Sequence, residues 1–283
     1  MGQNAFELQS NQGLRPATMT SLSVDTPRLF EHNLDPALFT SERLDALCRG
    51  AAERGSLKVQ FTDPGRQRYG NDPIYTVPSY PVLEDAKRRP VQYRIMDVDN
   101  FGGPEYKACL EHIFEVAAPD PSLGRIRPET VVRVFAPGAV VALHGDPDLK
   151  LVSTISGETT WWVRPPDAMT EQEHENLLRG EFFLQWRDWE DEGLHIPPGH
   201  GCFVPSRWAH WLTHPGDEPV VSFEIGFWTT ASVRARKVYD VNWLLRRARL
   251  SPAGPGGGND RLKTLAFDGI STVTRKGVAY RGI

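Results

Sequence analysis

From Val131 to Trp228 the chain is a succession of short β-prone runs, each closed by a turn signal, and this rhythm narrows the possible folds most. The signals are Pro137-Gly138, Ser156-Gly157, Pro165-Pro166-Asp167, Pro197-Pro198-Gly199 and His214-Pro215-Gly216-Asp217. Glycine and proline there supply turn dihedrals and interrupt hydrogen-bonded ladders. Between them lie candidate strands at 131–136, 139–143, 150–155, 159–164, 194–196, 202–204, 208–213 and 219–228. Short strands spaced in this way predict an all-β barrel or sandwich.

About eight such strands fit a double-stranded β-helix, the squashed barrel of cupins and jelly rolls. Flanking segments make the whole mainly β with added helices, an α+β chain. Leu44, Leu47 and Cys48 share a stripe that predicts a helix over 41–54, and Tyr106, Cys109, Leu110, Ile113 and Phe114 predict another over 105–116. A stretch rich in Pro, Gly, Asp and Arg, 62–89, reads as a long loop. One insert breaks the strand rhythm. Thr170-Glu171-Gln172-Glu173 resembles a capping box, and an acidic, aromatic run from Glu181 to Glu192 follows it. After the strands, Val238, Val241, Leu244 and Leu245 mark a basic helix over 233–250; a Gly/Pro-rich linker follows over 251–260, then a tail with β-prone residues. The expected organisation is an N-terminal helical and loop region (1–126), a catalytic core (127–230) with its insert at 167–195, and a C-terminal helix, linker and tail (231–283).

The 283 residues can bury a sizeable core, and a net charge of -4 gives no reason to expect nucleic acid as a partner. Cys48, Cys109 and Cys202 match neither a disulfide framework nor a zinc pattern. No run of about 18 apolar residues is present, and Met1 to Thr20 lacks the apolar segment of a secretory signal. The expectation is a cytoplasmic protein without membrane spans. The basic 233–250 helix is more consistent with docking on the barrel, or on a second copy in a homodimer, than with nucleic-acid binding.

Chemistry concentrates in His144-Gly145-Asp146 and Pro205-Ser206-Arg207-Trp208-Ala209-His210. In an extended segment residues i and i+2 point to the same side, so His144 and Asp146 converge across Gly145. A third ligand must come from a distant strand folded back beside the first. His210, near the end of a β-run, is preferred to His214, which sits at the Pro215-Gly216-Asp217 turn. Two imidazoles and one carboxylate suit Fe(II), with positions left open for oxygen and a cosubstrate.

Taken in order, Phe135-Ala136-Pro137-Gly138, His144-Gly145-Asp146, the strand ending at Pro165-Pro166-Asp167, Trp208-Ala209-His210 and Ser222 to Trp228 resemble the Fe(II)/2-oxoglutarate-dependent oxygenases, above all the JmjC and cupin-like hydroxylases. The resemblance covers about 127–230. It implies a double-stranded β-helix, iron held by His144, Asp146 and His210, 2-oxoglutarate as cosubstrate, and hydroxylation of an amino-acid, peptide or protein side chain. The acidic insert suggests a basic substrate. The chain departs from the pattern at one point. Where the family places a Lys or Arg for the distal carboxylate of 2-oxoglutarate, this sequence has Ser156. A buried carboxylate needs a cationic partner. Arg133 is the leading candidate, with Lys150, Arg164 and Arg207 behind it. Thr154, Ser156 and Trp162 are expected to line the pocket. Without that partner, a cupin-type dioxygenase or isomerase independent of 2-oxoglutarate is the alternative, and a non-catalytic JmjC-like module is a third.

Overall fold

The protein is described by a computed structural model over residues 25–61, 81–117, 124–178 and 193–274. Its strands are β1 (Arg28–Glu31), β2 (Leu57–Phe61), β3 (Val91–Met96), β4 (Ile126–Phe135), β5 (Val140–Gly145), β6 (Leu149–Ser156), β7 (Thr159–Arg164), β8 (Leu194–Ile196), β9 (His200–Val204), β10 (Ala209–Thr213) and β11 (Val220–Trp228). Its helices are α1 (Ser41–Glu53), α2 (Val82–Arg88), α3 (Val98–Phe101), α4 (Pro104–Ala117), α5 (Glu171–Leu178), α6 (Thr230–Arg247) and α7 (Asp260–Thr274).

The strands form two antiparallel sheets. The larger runs β1-β9-β6-β11-β4-β3-β2 and the smaller β5-β10-β7-β8. Their alternation fixes two cores. Val132, Val134, Leu151, Phe223 and Ile225 point from the large sheet to Leu44, Val82, Ile113 and other residues of α1, α2 and α4. Phe135, Val152, Cys202 and Val204 point the other way and meet Val141, Trp161, Val163 and Leu212 of the small sheet. This two-layer, double-stranded β-helix is mainly β with flanking helices, as the turn signals predict.

Three features depart from the expectation. The N-terminal region supplies β1, β2 and β3 to the large sheet itself, placing strands at both of its edges. The β-prone tail is helical over Asp260–Thr274, because it packs on α6. Within the expected long loop, 82–88 form α2, while 62–80 lie outside the described residues. The predicted helix of the insert forms as α5: the Thr170 hydroxyl accepts from Glu173 N, and Glu173 Oε2 accepts from Thr170 N. The acidic run that follows lies outside the described residues.

Candidate metal centre

β5 and β10 are paired so that His144 and His210 stand directly opposite each other. A bulge in β5 makes this useful. His210 pairs with His144 and Leu212 with Val141, so three steps of β5 face two of β10. The extra residue lets Val141 and His144 both face inward despite their odd spacing, while Leu143 turns outward to Trp211. Asp146 follows immediately. The Arg207 amide donates to the Asp146 carbonyl at 3.1 Å, and Ser206 Oγ donates to the Pro147 carbonyl at 2.9 Å. The two loops are thereby tied together.

Asp146 Oδ2 lies 3.6 Å from His210 Nε2 and 3.9 Å from His144 Nε2. One donor atom from each residue falls within 4.8 Å of the others, the only group of this kind among the described residues. His144 Nδ1 donates to the Ala142 carbonyl at 2.8 Å and His210 Nδ1 to the Trp208 carbonyl at 3.0 Å. A carbonyl can only accept, so both Nδ1 atoms carry the proton and both Nε2 atoms offer a lone pair. Burial, the main cause, holds His210 below the usual imidazole range and His144 down at about 3. Burial opposes ionisation of Asp146, but Lys150, the two imidazoles and Arg133 outweigh it and keep the carboxylate below its ordinary range. Neutral imidazoles beside an ionised carboxylate are the protonation states that a divalent cation requires. The donor set therefore fits such an ion.

The interior beyond the triad is polar along one row. Arg133 on β4 pairs across the sheet with Ser222 on β11, and Ser222 with Thr154 on β6. Arg133 Nε lies 2.8 Å from Glu224 Oε2, and Ser222 Oγ donates to Glu224 Oε1 at 3.0 Å. Thr154 Oγ1 and Trp161 Nε1 are buried on inward faces without a hydrogen-bond partner among the described residues. Leaving such atoms unpaired costs about 1–3 kcal/mol each. Trp161 also stacks on His210, with 5.5 Å between ring centroids.

The sequence-predicted residues divide accordingly. His144, Asp146 and His210 are brought together, and Arg133 and Thr154 face the same interior. Ser156 does not. A bulge at Ile155 separates the pairs Thr154↔Ser222 and Ser156↔Val221, which leaves Ser156 exposed on the opposite face. Trp162 points outward and stacks on Trp211 at 5.4 Å. Parity is not carried from β6 to β7, because the Ser156-Gly157 turn moves the chain into the other sheet; the inward tryptophan is Trp161. The Arg207 side chain lies near Tyr239 and His174, away from the interior, and only its amide serves the site. Arg164 sits over Trp211 on the outer face. His214 is buried against Phe135 and is not part of the triad. Residues the motifs alone did not assign are Asp148, Glu224 and Trp161. Only its closeness in sequence to Asp146 points to the first, since the chain passes from the small sheet to the large one between β5 and β6.

No protein-family model matches the chain, and no curated protein does. Among solved structures, that of YcfD from Escherichia coli is 13% identical, with a TM-score of 0.50 over 90% of this chain and 66% of that one. YcfD, a ribosomal oxygenase, is also similar in its complex with cobalt and 2-oxoglutarate, at 13% identity and a TM-score of 0.49 over 90% and 64% of the two chains. This chain thus spans just under two thirds of the length of those proteins. The likeness is one of fold.

Proposed function

We propose that the protein is a non-haem Fe(II) oxygenase that uses 2-oxoglutarate to oxidise an unactivated C–H bond, with 127–230 as its catalytic core. The observation that carries this reading is the pair of facing imidazoles, each with its proton fixed on Nδ1 by a backbone carbonyl, converging with Asp146 inside a double-stranded β-helix. His144, Asp146 and His210 would hold the metal on one face, which leaves the opposite positions open. Iron and 2-oxoglutarate supply the redox chemistry when bound; the chain supplies geometry, charge and dryness.

Arg133 is the residue we assign to the far carboxylate, since a guanidinium can grip it with two parallel hydrogen bonds. Thr154 Oγ1 and Trp161 Nε1 are further donors in want of an acceptor. The charges support an anionic cosubstrate. Asp146, Asp148 and Glu224 outnumber Arg133 and Lys150 by one, and a divalent cation reverses that excess. Trp161, stacked on His210, shields that ligand from water. For the substrate we infer an amino-acid, peptide or protein side chain, basic in keeping with the acidic run Glu181–Glu192. A peptide or protein substrate is also in keeping with the fold likeness to YcfD, a ribosomal oxygenase. We also propose that a second copy docks on α6, where Leu244 is exposed.

A second reading has its own observation. Glu224 already neutralises Arg133, so a metal-dependent dioxygenase without 2-oxoglutarate would need no change in this interior. One experiment separates the two. Anaerobic protein loaded with Fe(II) and given 2-oxoglutarate and oxygen is expected to release succinate. Arg133→Ala should weaken 2-oxoglutarate binding at least about tenfold, the loss of one charge-assisted pair, with Fe(II) affinity retained. Failure of succinate release across amino-acid and peptide substrates would leave the second reading standing.

A further inference from the structure

Beside the triad lies a second buried carboxylate, Asp148, bonded to a lysine that also stands near Asp146. Asp148 lies in the bend between β5 and β6, is buried, and lies close enough to Asp146 to feel its charge. Its Oδ2 accepts from Lys150 Nζ at 2.9 Å, while the same ammonium stands 4.0 Å from Asp146 Oδ2. Lys150 thus sits between the two carboxylates and is bonded to the one outside the triad. Gly226 on β11 makes the arrangement possible. A Cβ there would come within 2.6 Å of Asp148 Oδ2 and 2.9 Å of Lys150 Nζ. The pair occupies the space a side chain would fill.

Buried carboxylates without a cation are costly, and a nearby divalent ion is the strongest cation available to them. With Lys150 in place, Asp148 is already compensated. Without it, Asp148 gains most by turning to the metal. We propose that Lys150 is a positioning residue that fixes the coordination number of the centre: by holding Asp148 it keeps the site at three protein ligands and preserves the open positions on which oxygen chemistry depends. This rests on the metal reading given above and adds to it the residue that guards the vacant face.

The test counts water on the metal. Mn(II) bound by three protein ligands in octahedral geometry keeps about three waters, read from line broadening in ¹⁷O-water EPR. Wild-type protein and Lys150→Arg should show about three, Lys150→Met about one fewer with Mn(II) bound at least about tenfold tighter, and Lys150→Met/Asp148→Asn about three again. Gly226→Ala, which displaces the pair by another route, should also lose about one water. The double variant separates ligation from charge, because a purely electrostatic role of Lys150 would change affinity and leave the count at three. An unchanged count in Lys150→Met, or in Gly226→Ala if the former does not fold, overturns the proposal. Wild-type protein that binds no Mn(II) overturns the metal reading and this inference with it; wild-type protein that binds it with fewer waters overturns this inference alone.

Discussion

Burial keeps His214 neutral far below the pH at which a solvated imidazole charges, down to about 3 from an ordinary 6.5. The sign of the effect on stability follows from proton counting. Between those two values the unfolded chain binds the proton that the folded chain refuses, so stability rises with pH and falls as the solution is acidified below 6.5. His214 alone contributes a slope of about 1.4 kcal/mol per pH unit in that window. Urea unfolding of the metal-free protein at several pH values should show the slope, and His214→Phe should remove about that share of it. A second expectation concerns the triad. His210→Ala should abolish Co(II) binding in a spectroscopic titration at micromolar protein, while His214→Phe should leave it intact; equal effects from both would remove the preference for His210. At this scale the sequence was informative for the convergence of His144, Asp146 and His210 and for the inward face of Arg133, because parity within one strand is a local property. It misled for Trp162 and Ser156, because one parity passes through a change of sheet and the other through a bulge.

Edge strand β1 depends on a close approach. Gly201 of β9 faces Phe30, and a Cβ on Gly201 would strike the Phe30 ring and come within 2.6 Å of the Val152 carbonyl. A ring can rotate away but a backbone carbonyl cannot, so Gly201→Ala must shift β9 or expel β1. The expected cost is about 1–3 kcal/mol, as for overpacked cores, with amide exchange of 28–31 accelerated before the rest of the sheet. Uniform acceleration would show that β1 is not a separable edge. Turn chemistry made the strands from 131 to 228 legible, and α6 was legible from its apolar stripe. Its start was not. The helix opens at Thr230, where the Thr229 and Ser232 side chains cap each other's backbone amides. β1 and β3 went unread because they lie among helical segments and take their partners from far along the chain. α7 went unread because its propensity is overridden by packing on α6.

At the scale of the whole molecule α5 packs against β5, at the edge of the small sheet, and is itself held by α6. Arg246 Nε bonds both oxygens of Glu175 at 3.0 and 2.9 Å, and the Glu175 side chain is 1% exposed. Removing the cation strands a buried carboxylate, so Arg246→Ala should cost about 3 kcal/mol in urea unfolding, and Arg246→Ala/Glu175→Gln should recover part of it. Two single-variant costs that simply add would mean the two groups are not coupled. The topology also governs when the fold can form. β1 lies at one edge of the large sheet and β2 at the other, and β1 is paired with β9 in the register Arg28↔Phe203. On the ribosome β1 is therefore made early and finds its place late. Its partner is synthesised well over a hundred residues later, and until then its apolar residues and unpaired amides are open to other strands. Chains with such distant pairings fold slowly and expose edges while they wait. A nascent chain of this protein should engage chaperones until synthesis has passed β11.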